Sequence, residues 1–327
     1  MDASRDPRLV FALRVEHNTA FVFPGQGSQY AGMGRDVAAK YPAARKVFDG
    51  IDRALSFSIS ALCFDGPEDQ LKLTENTQPA ILAVSSAIHA VLEERGATRR
   101  DLVAGHSLGE YSAIVSDGGL TPAEGAKIVR ARGKFMQEAV PVGSGAMAAL
   151  IGASVEQAHE ICGQAAEGDV VSVANINAPG QIVISGEKAK VEIAVGLAKE
   201  RGIRRATLLN VAGAYHSQLM ESAYQKLGVA LLHVPVQPPR FPVISNVTGA
   251  EATTPIEIRR TLQDQVTGTV RWVDCMERLV DLGCDLFIEI GPGGVLAGLL
   301  KRTCKDADVV SVNDAESVRK CAGRIGG

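Results

Sequence analysis

The sequence predicts an α/β protein: a main domain on a mostly parallel sheet, with a smaller βαββαβ unit inserted into it. Three observations carry this. Short apolar runs at residues 19–23, 101–104 and 285–290 each lead into a glycine-bearing turn and then helical patterning, the alternation of a parallel sheet. Residues 105–109 read Gly-His-Ser-Leu-Gly, a strand-to-helix turn. Between residues 143 and 211 the pattern becomes strand, helix, two strands, helix, strand, within about seventy residues.

The 327 residues suffice for one large domain with an insertion, and 46% hydrophobic against 22% charged is the composition of a soluble chain with a full core. The net charge of −3 gives no overall field toward nucleic acid or an anionic membrane. No apolar run reaches membrane-spanning length and residues 1–17 do not read as a secretory signal, so a cytoplasmic protein is expected. The six cysteines are scattered, with no C-x-x-C pair and no histidine at ligand spacing. Reduced packing residues and no metal are expected.

Residues 1–18 read as a poorly ordered N-terminal extension. The strand at 19–23 runs into Pro24-Gly25-Gln26-Gly27-Ser28-Gln29, a turn rich in glycine and amides. It is either a plain connection or part of an oxyanion pocket to which Gln26 contributes. Tyr30 stands where the third glycine of a dinucleotide fingerprint belongs, which excludes that motif. Helical patterns follow over residues 37–55 and 78–94, the second almost wholly apolar, as a buried helix is.

Residues 101–104 are a short strand, and a helix from Leu108 stops at Asp117-Gly118-Gly119. Ser107 lies on the turn between them with glycine two positions to either side, the nucleophile elbow of α/β-hydrolase-like sheets. Such a turn has no room for a flanking Cβ and pushes the hydroxyl outward. The Leu108 N–H, unpaired in the first helical turn, can then donate to an oxyanion. A serine cap on an ordinary helix start is the competing reading.

Thr121-Pro122-Ala123-Glu124 opens a helix over residues 122–139 with a capping box. Ile128, Val129, Phe135 and Met136 share an arc of roughly 120° and Arg132 falls near its middle. A guanidinium on an apolar face costs several kcal/mol unless an anion meets it, about as much as other buried charges. Its partner is an internal carboxylate, the solvent rim, or a ligand.

Residues 143–211 follow as a compact ferredoxin-like insert, with Asn177-Ala178-Pro179-Gly180 as its central hairpin turn. Among the six histidines, His17 is in the tail, His89 in an apolar helix, His159 on a polar face and His233 beside prolines. His106 precedes the elbow serine, a position whose side chain generally points away from the nucleophile's hydroxyl. His216, on a loop before a helix at 218–227, remains as the base for Ser107, against a capping or buried structural role. The strand at 285–290 ends in Gly291-Pro292-Gly293-Gly294, which lacks the G-K-[ST] of a phosphate loop.

Five motifs then stand in order over residues 19–313: Phe23-Pro24-Gly25-Gln26-Gly27-Ser28-Gln29, Gly105-His106-Ser107-Leu108-Gly109-Glu110-Tyr111, Arg132-Gly133-Lys134-Phe135-Met136-Gln137, Gly213-Ala214-Tyr215-His216-Ser217 and Glu289-Ile290-Gly291-Pro292-Gly293. Together they resemble the malonyl-CoA:acyl carrier protein transacylases of fatty-acid synthesis and the related acyltransferase domains of polyketide synthases. The resemblance implies Ser107 as a nucleophile that carries malonyl, His216 as base and acid, and Gln26 with the Leu108 amide as oxyanion site. It implies Arg132 as the clamp on the malonyl carboxylate, and the backbone carbonyl of Gln265 as the support of His216. Tyr215, before the histidine, stands where malonyl enzymes commonly have Phe; with Leu108 it favours malonyl and leaves methylmalonyl open.

The implied organisation is a main acyltransferase domain of residues 19–142 and 212–327, with 143–211 inserted. The implied substrates are malonyl-CoA and holo acyl carrier protein, with no cofactor, no nucleic acid and no membrane, in a protein expected to be a monomer. An acidic carrier protein gives Lys188, Lys190, Lys199, Arg201, Arg204 and Arg205 a candidate docking role, against a merely solvated face. A polyketide-pathway acyltransferase and a serine esterase or thioesterase are the alternatives.

Overall fold

A computed structural model of the chain describes residues 18–211 and 213–325. The expected N-terminal extension, apart from Asn18, and Ala212 at the expected domain boundary lie outside them.

Strand β1 (Asn18–Phe23) leads into α1 (Arg35–Lys40), α2 (Pro42–Leu55), α3 (Ile59–Asp65), α4 (Glu68–Leu71) and α5 (Thr74–Glu94). The chain returns as β2 (Leu102–Gly105) and continues through α6 (Leu108–Ser116) and α7 (Pro122–Glu138). Then come β3 (Gly145–Ile151), α8 (Val155–Ala166), β4 (Val171–Ala178), β5 (Gln181–Glu187), α9 (Lys188–Glu200) and β6 (Arg205–Leu208). A 3-10 turn at Gln218–Met220 runs into α10 (Glu221–Leu232), followed by β7 (Val243–Ile244), β8 (Glu251–Ala252), α11 (Pro255–Asp264) and α12 (Trp272–Asp281). The last elements are β9 (Cys284–Ile290), α13 (Val295–Thr303), β10 (Asp308–Val312) and α14 (Ala315–Ile325).

The result is an α/β architecture with two sheets. The first has six strands in the order β10-β9-β1-β2-β7-β8, parallel throughout except for the β7–β8 pair. The second has four strands in the order β4-β5-β3-β6, every pair antiparallel. Alternate side chains of β1 build two cores, as a period of two requires. Phe21 and Phe23 pack with α2, α5 and α7, whereas Ala20 and Val22 pack with α12 and α13. Residues of α8 and α9 cover one face of the smaller sheet with a third core.

The sheets are tied where β4 meets the segment before α12. Ile176 N–H donates to Val270 O at 2.9 Å, and Val270 N–H to Ala174 O at 2.8 Å. This seam carries the end of β4 over the carboxyl ends of β1 and β2, where ligands bind in open α/β sheets.

Several expected elements differ in their bounds. The helical pattern over residues 37–55 is two helices, broken at Tyr41, whose extended backbone precedes Pro42 at the first turn of α2. The apolar helix begins four residues early, at Thr74, and accommodates Pro79. Strand β4 runs through Ala178, which pairs with Gln181, so the hairpin turn is confined to Pro179 and Gly180. The helix expected at 218–227 opens as a 3-10 turn and extends to Leu232.

Candidate active site

The elbow forms at the end of β2. Ser107 has φ 50° and ψ −106°, a conformation that non-glycine residues rarely adopt and that the surroundings must hold in place. A Cβ on Gly105 would lie 1.9 Å from Gly109 backbone atoms, and one on Gly109 would lie 2.1 Å from Phe23 O. The flanking glycines are therefore required by backbone contact. Asn246, just past β7, clamps the turn: its Oδ1 accepts the Ser107 N–H at 2.7 Å and its Nδ2 donates to Gly105 O at 2.8 Å. The Gly109 and Glu110 N–H groups already donate to His106 O and Ser107 O, which leaves the Leu108 N–H as the first-turn donor for a ligand.

His216 reaches this turn from the loop before the 3-10 turn, itself held at φ 59°. Its Nδ1 lies 2.8 Å from Gln265 O and its Nε2 lies 2.8 Å from Ser107 Oγ. A carbonyl only accepts, so Nδ1 carries the proton and Nε2 accepts from the serine. Burial, and then the Arg132 charge, push the imidazole pKa down to about 3, against a stabilising contribution from the Gln265 carbonyl. The ring is thus neutral at pH 7 and able to take a proton from Ser107.

Arg132 is 1% exposed. It pairs with amides: Nη1 donates to Gln78 Oε1 at 2.7 Å and Nη2 to Gln265 Oε1 at 2.8 Å. Nη2 also donates to Ser107 Oγ at 3.1 Å, and the guanidinium carbon stands 5.6 Å from the Tyr111 ring centroid. Its Nε is buried and has no hydrogen-bond partner among the described residues. Among the described residues no carboxylate pairs with it, so neither the internal ion pair nor the solvent rim accounts for its position. Burial lowers its pKa, but a guanidinium stays charged.

These groups meet at a cavity of ≈ 180 Å³ lined by Gln26, Leu108, Met136, Met147, Asn177 and Tyr215, among others. Gln26 is exposed on its rim. The Tyr215 hydroxyl is 2.6 Å from Thr74 Oγ1 at the start of α5. His106 turns the other way, its Nε2 donating to Asn177 Oδ1 at 2.7 Å. A hydroxyl bonded to a neutral imidazole, beside a cation and facing an amide-lined cavity, can attack a carbonyl whose acyl group carries an anion.

Four polar residues here escaped the sequence reading: Gln78, Glu110, Asn177 and Asn246. Glu110 Oε2 accepts from Gln265 Nε2 at 2.6 Å and from Asn246 N–H at 3.1 Å. Gln78 and Glu110 each interrupt an apolar helix, the same signal that singled out Arg132; Asn177 and Asn246 carry no such signal. Of the six basic residues considered for docking, Lys190 is paired with Glu167 and Asp169, and Arg201 with Glu160. Lys188, Lys199, Arg204 and Arg205 are exposed.

The family described as acyl transferase domain matches residues 20–322, a span that includes every cavity residue and, apart from the first two residues of β1, both sheets. This chain belongs to the acyl transferase domain family. The malonyl CoA-acyl carrier protein transacylase of Bacillus subtilis is 44% identical over 300 residues, 91% of this chain and 94% of its own. That of Escherichia coli K12 is 42% identical over 299 residues, 91% of this chain and 97% of its own. The acyl-carrier-protein-S-malonyltransferase of Bartonella henselae superposes with a TM-score of 0.92 at 44% identity, over 95% of this chain and all of that one. A malonyl-transacylase solved in complex with a type II PKS acyl-carrier protein gives a TM-score of 0.92 at 41% identity, over 94% of this chain and 99% of its own. An acyl transferase must hold an acyl group between donor and acceptor, and the cavity lined by Ser107 lies at the elbow.

Proposed function

We propose that the protein transfers a malonyl group from malonyl-CoA to the phosphopantetheine thiol of holo acyl carrier protein, through a malonyl-serine intermediate, in fatty-acid biosynthesis. The observation that carries this reading is a buried guanidinium with only neutral partners, 3.1 Å from a serine hydroxyl bonded to a neutral imidazole. The names of the relatives support it.

The malonyl carboxylate pairs with Arg132, exchanging amide contacts for a charge-assisted pair. Ser107 Oγ attacks the thioester carbonyl while its proton passes to His216 Nε2. The Gln265 carbonyl steadies the imidazolium through Nδ1–H. The tetrahedral oxyanion is held by the Leu108 N–H and the Gln26 amide. Collapse breaks the C–S bond, and the proton on His216 goes to the departing CoA sulfur. The carrier thiol then attacks the serine ester by the same path in reverse, which makes the kinetics ping-pong. The chemistry uses side-chain and backbone groups of this chain and the two substrates alone. Tyr215, with its hydroxyl tied to Thr74, bounds the acyl site; with Leu108 it favours malonyl and leaves methylmalonyl open. A serine esterase would gain nothing from Arg132.

In this reading residues 19–142 and 212–327 form an α/β-hydrolase-like acyltransferase unit, and residues 143–211 a ferredoxin-like insert. The element order and the strand order β4-β5-β3-β6 support the second description. The exposed cations Lys188, Lys199, Arg204 and Arg205 receive the acidic carrier. The protein acts as a cytoplasmic monomer, with no nucleic-acid partner.

The test is steady-state transfer at varied malonyl-CoA and holo carrier protein. Parallel double-reciprocal lines, with little hydrolysis, are expected. Intersecting lines, or release of free malonate as the main product, would overturn the reading.

A further inference from the structure

Ser107, His216 and Arg132 come from three separate parts of the chain, and two amides hold them together. Gln265 touches all three: its O accepts from His216 Nδ1, its Oε1 from Arg132 Nη2, and its Nε2 donates to Ser107 O at 3.1 Å. Asn246 holds both sides of the elbow. Gln265 Nε2 and the Asn246 backbone N–H both donate to one atom, Glu110 Oε2.

We propose that Glu110 is a positioning residue for the acyl transfer: its carboxylate fixes the orientation of Gln265 and the place of Asn246, and through them the alignment of Ser107, His216 and Arg132. The inference rests on the functional reading above.

The physical argument concerns an amide that could turn over. A primary amide has nearly the same shape after a half-turn exchanges its oxygen and nitrogen. Gln265 in the flipped orientation would aim its NH2 at the Arg132 donors and its oxygen at Glu110. A carboxylate, which only accepts, opposes that state, as Arg132, which only donates, also does. A protonated Glu110 could donate to the flipped oxygen, so the charge of Glu110 decides how firmly the orientation is fixed. Burial raises its pKa to about 7, against the lowering effects of Asn246 N–H, the Gln265 amide and Arg132. Among the described residues, the charged and titratable groups facing it are Arg132 from α7, Tyr111 beside it on α6 and Cys275 from α12. Burial holds the tyrosine and the thiol neutral at pH 7. Glu110 therefore changes charge near neutrality while its neighbours do not.

The test is Glu110→Gln in the full chain. The single-turnover rate of malonyl-serine formation is measured by quenched-flow mass spectrometry from about pH 5.5 to 8.5, alongside the melting temperature. Wild type is expected to lose roughly tenfold in rate as pH falls through the Glu110 transition, the size of effect that a small misplacement causes. E110Q should run at the lower rate at every pH, with an unchanged or higher melting temperature. An E110Q rate and pH profile parallel to wild type would overturn the proposal, as would a rate loss matched by a loss of stability. Should E110Q fail to fold, Glu110→Asp keeps the charge on a shorter arm; it should be slower yet retain the pH transition, and a flat profile overturns the proposal. A wild type that forms no malonyl-serine overturns the functional reading instead.

Discussion

Arg132 Nη2 lies 3.1 Å from Ser107 Oγ, so the cation of the site rests directly on the hydroxyl that is hydrogen-bonded to His216. Its other partners are the neutral amides of Gln78 and Gln265. An incoming carboxylate thus competes with amides, with no ion pair to break among the described residues. Arg132→Ala should lower kcat/KM for malonyl-CoA by about 10²- to 10³-fold, the scale of losing one strong charge-assisted contact in a buried site. The loss with acetyl-CoA should be much smaller. Initial rates with the two donors check this, and equal losses would contradict it. Arg132→Lys should not restore the rate, because a point charge cannot replace the planar fork.

The elbow glycines make a prediction about stability. A methyl group on Gly105 would have to occupy the space of the Gly109 carbonyl, 1.9 Å away, and neither backbone can yield without opening the turn. Gly105→Ala should destabilise the fold by about 3 kcal/mol or more, beyond ordinary overpacking. Gly163→Ala, on α8 with open space around the added carbon, should be neutral or stabilising by comparison. Chemical denaturation of the two variants provides the test.

Tyr215 and Thr74 form a buried hydroxyl pair at 2.6 Å. Tyr215→Phe leaves the threonine hydroxyl without its partner and should cost about 1–2 kcal/mol in stability. The ring that bounds the cavity remains, so kcat/KM with malonyl-CoA should stay within about threefold, a difference well under 1 kcal/mol. Denaturation midpoints and initial rates measure the two effects separately.

Acid stability follows from two buried imidazoles. Burial lowers the pKa values of His89 and His216 to about 3, with Arg100 and Arg240 adding to the shift at His89 and Arg132 at His216. The unfolded chain binds these protons near its ordinary value of 6.5 and the folded chain does not. Their stabilisation is therefore complete above pH 6.5 and is lost as pH falls toward 3, each proton changing the unfolding constant about tenfold per pH unit. His89→Leu, far from the cavity and edge-on to Phe21, should flatten the fall in melting temperature over that window without changing activity at pH 7. A slope parallel to wild type would contradict this.

Much of the architecture was legible because it is written locally. The strand, glycine turn and helix around Ser107 are contiguous, and the capping box at Thr121 and Glu124 sits where the sequence puts it. Arg132 stood out because a charge on an apolar helical face conflicts with its neighbours. The holding network was not legible. Asn246 meets Ser107 across 139 positions, and Gln265 meets Glu110 across 155, so no local pattern links them. Glu110 lies inside the motif that identified the elbow, yet its partners come from segments without periodic signal. Helix α11 was overlooked although Thr254 and Glu257 form a capping box, because its exposed face is strongly polar and its apolar stripe is short.

The most direct test of the account is the intact mass of the protein after brief exposure to malonyl-CoA, before and after addition of holo acyl carrier protein. A single malonyl adduct is predicted on wild type, absent from Ser107→Ala and discharged when the carrier is added. No Ser107-dependent adduct, or one that the carrier cannot remove, would contradict the proposal that this serine carries malonyl from one thiol to another.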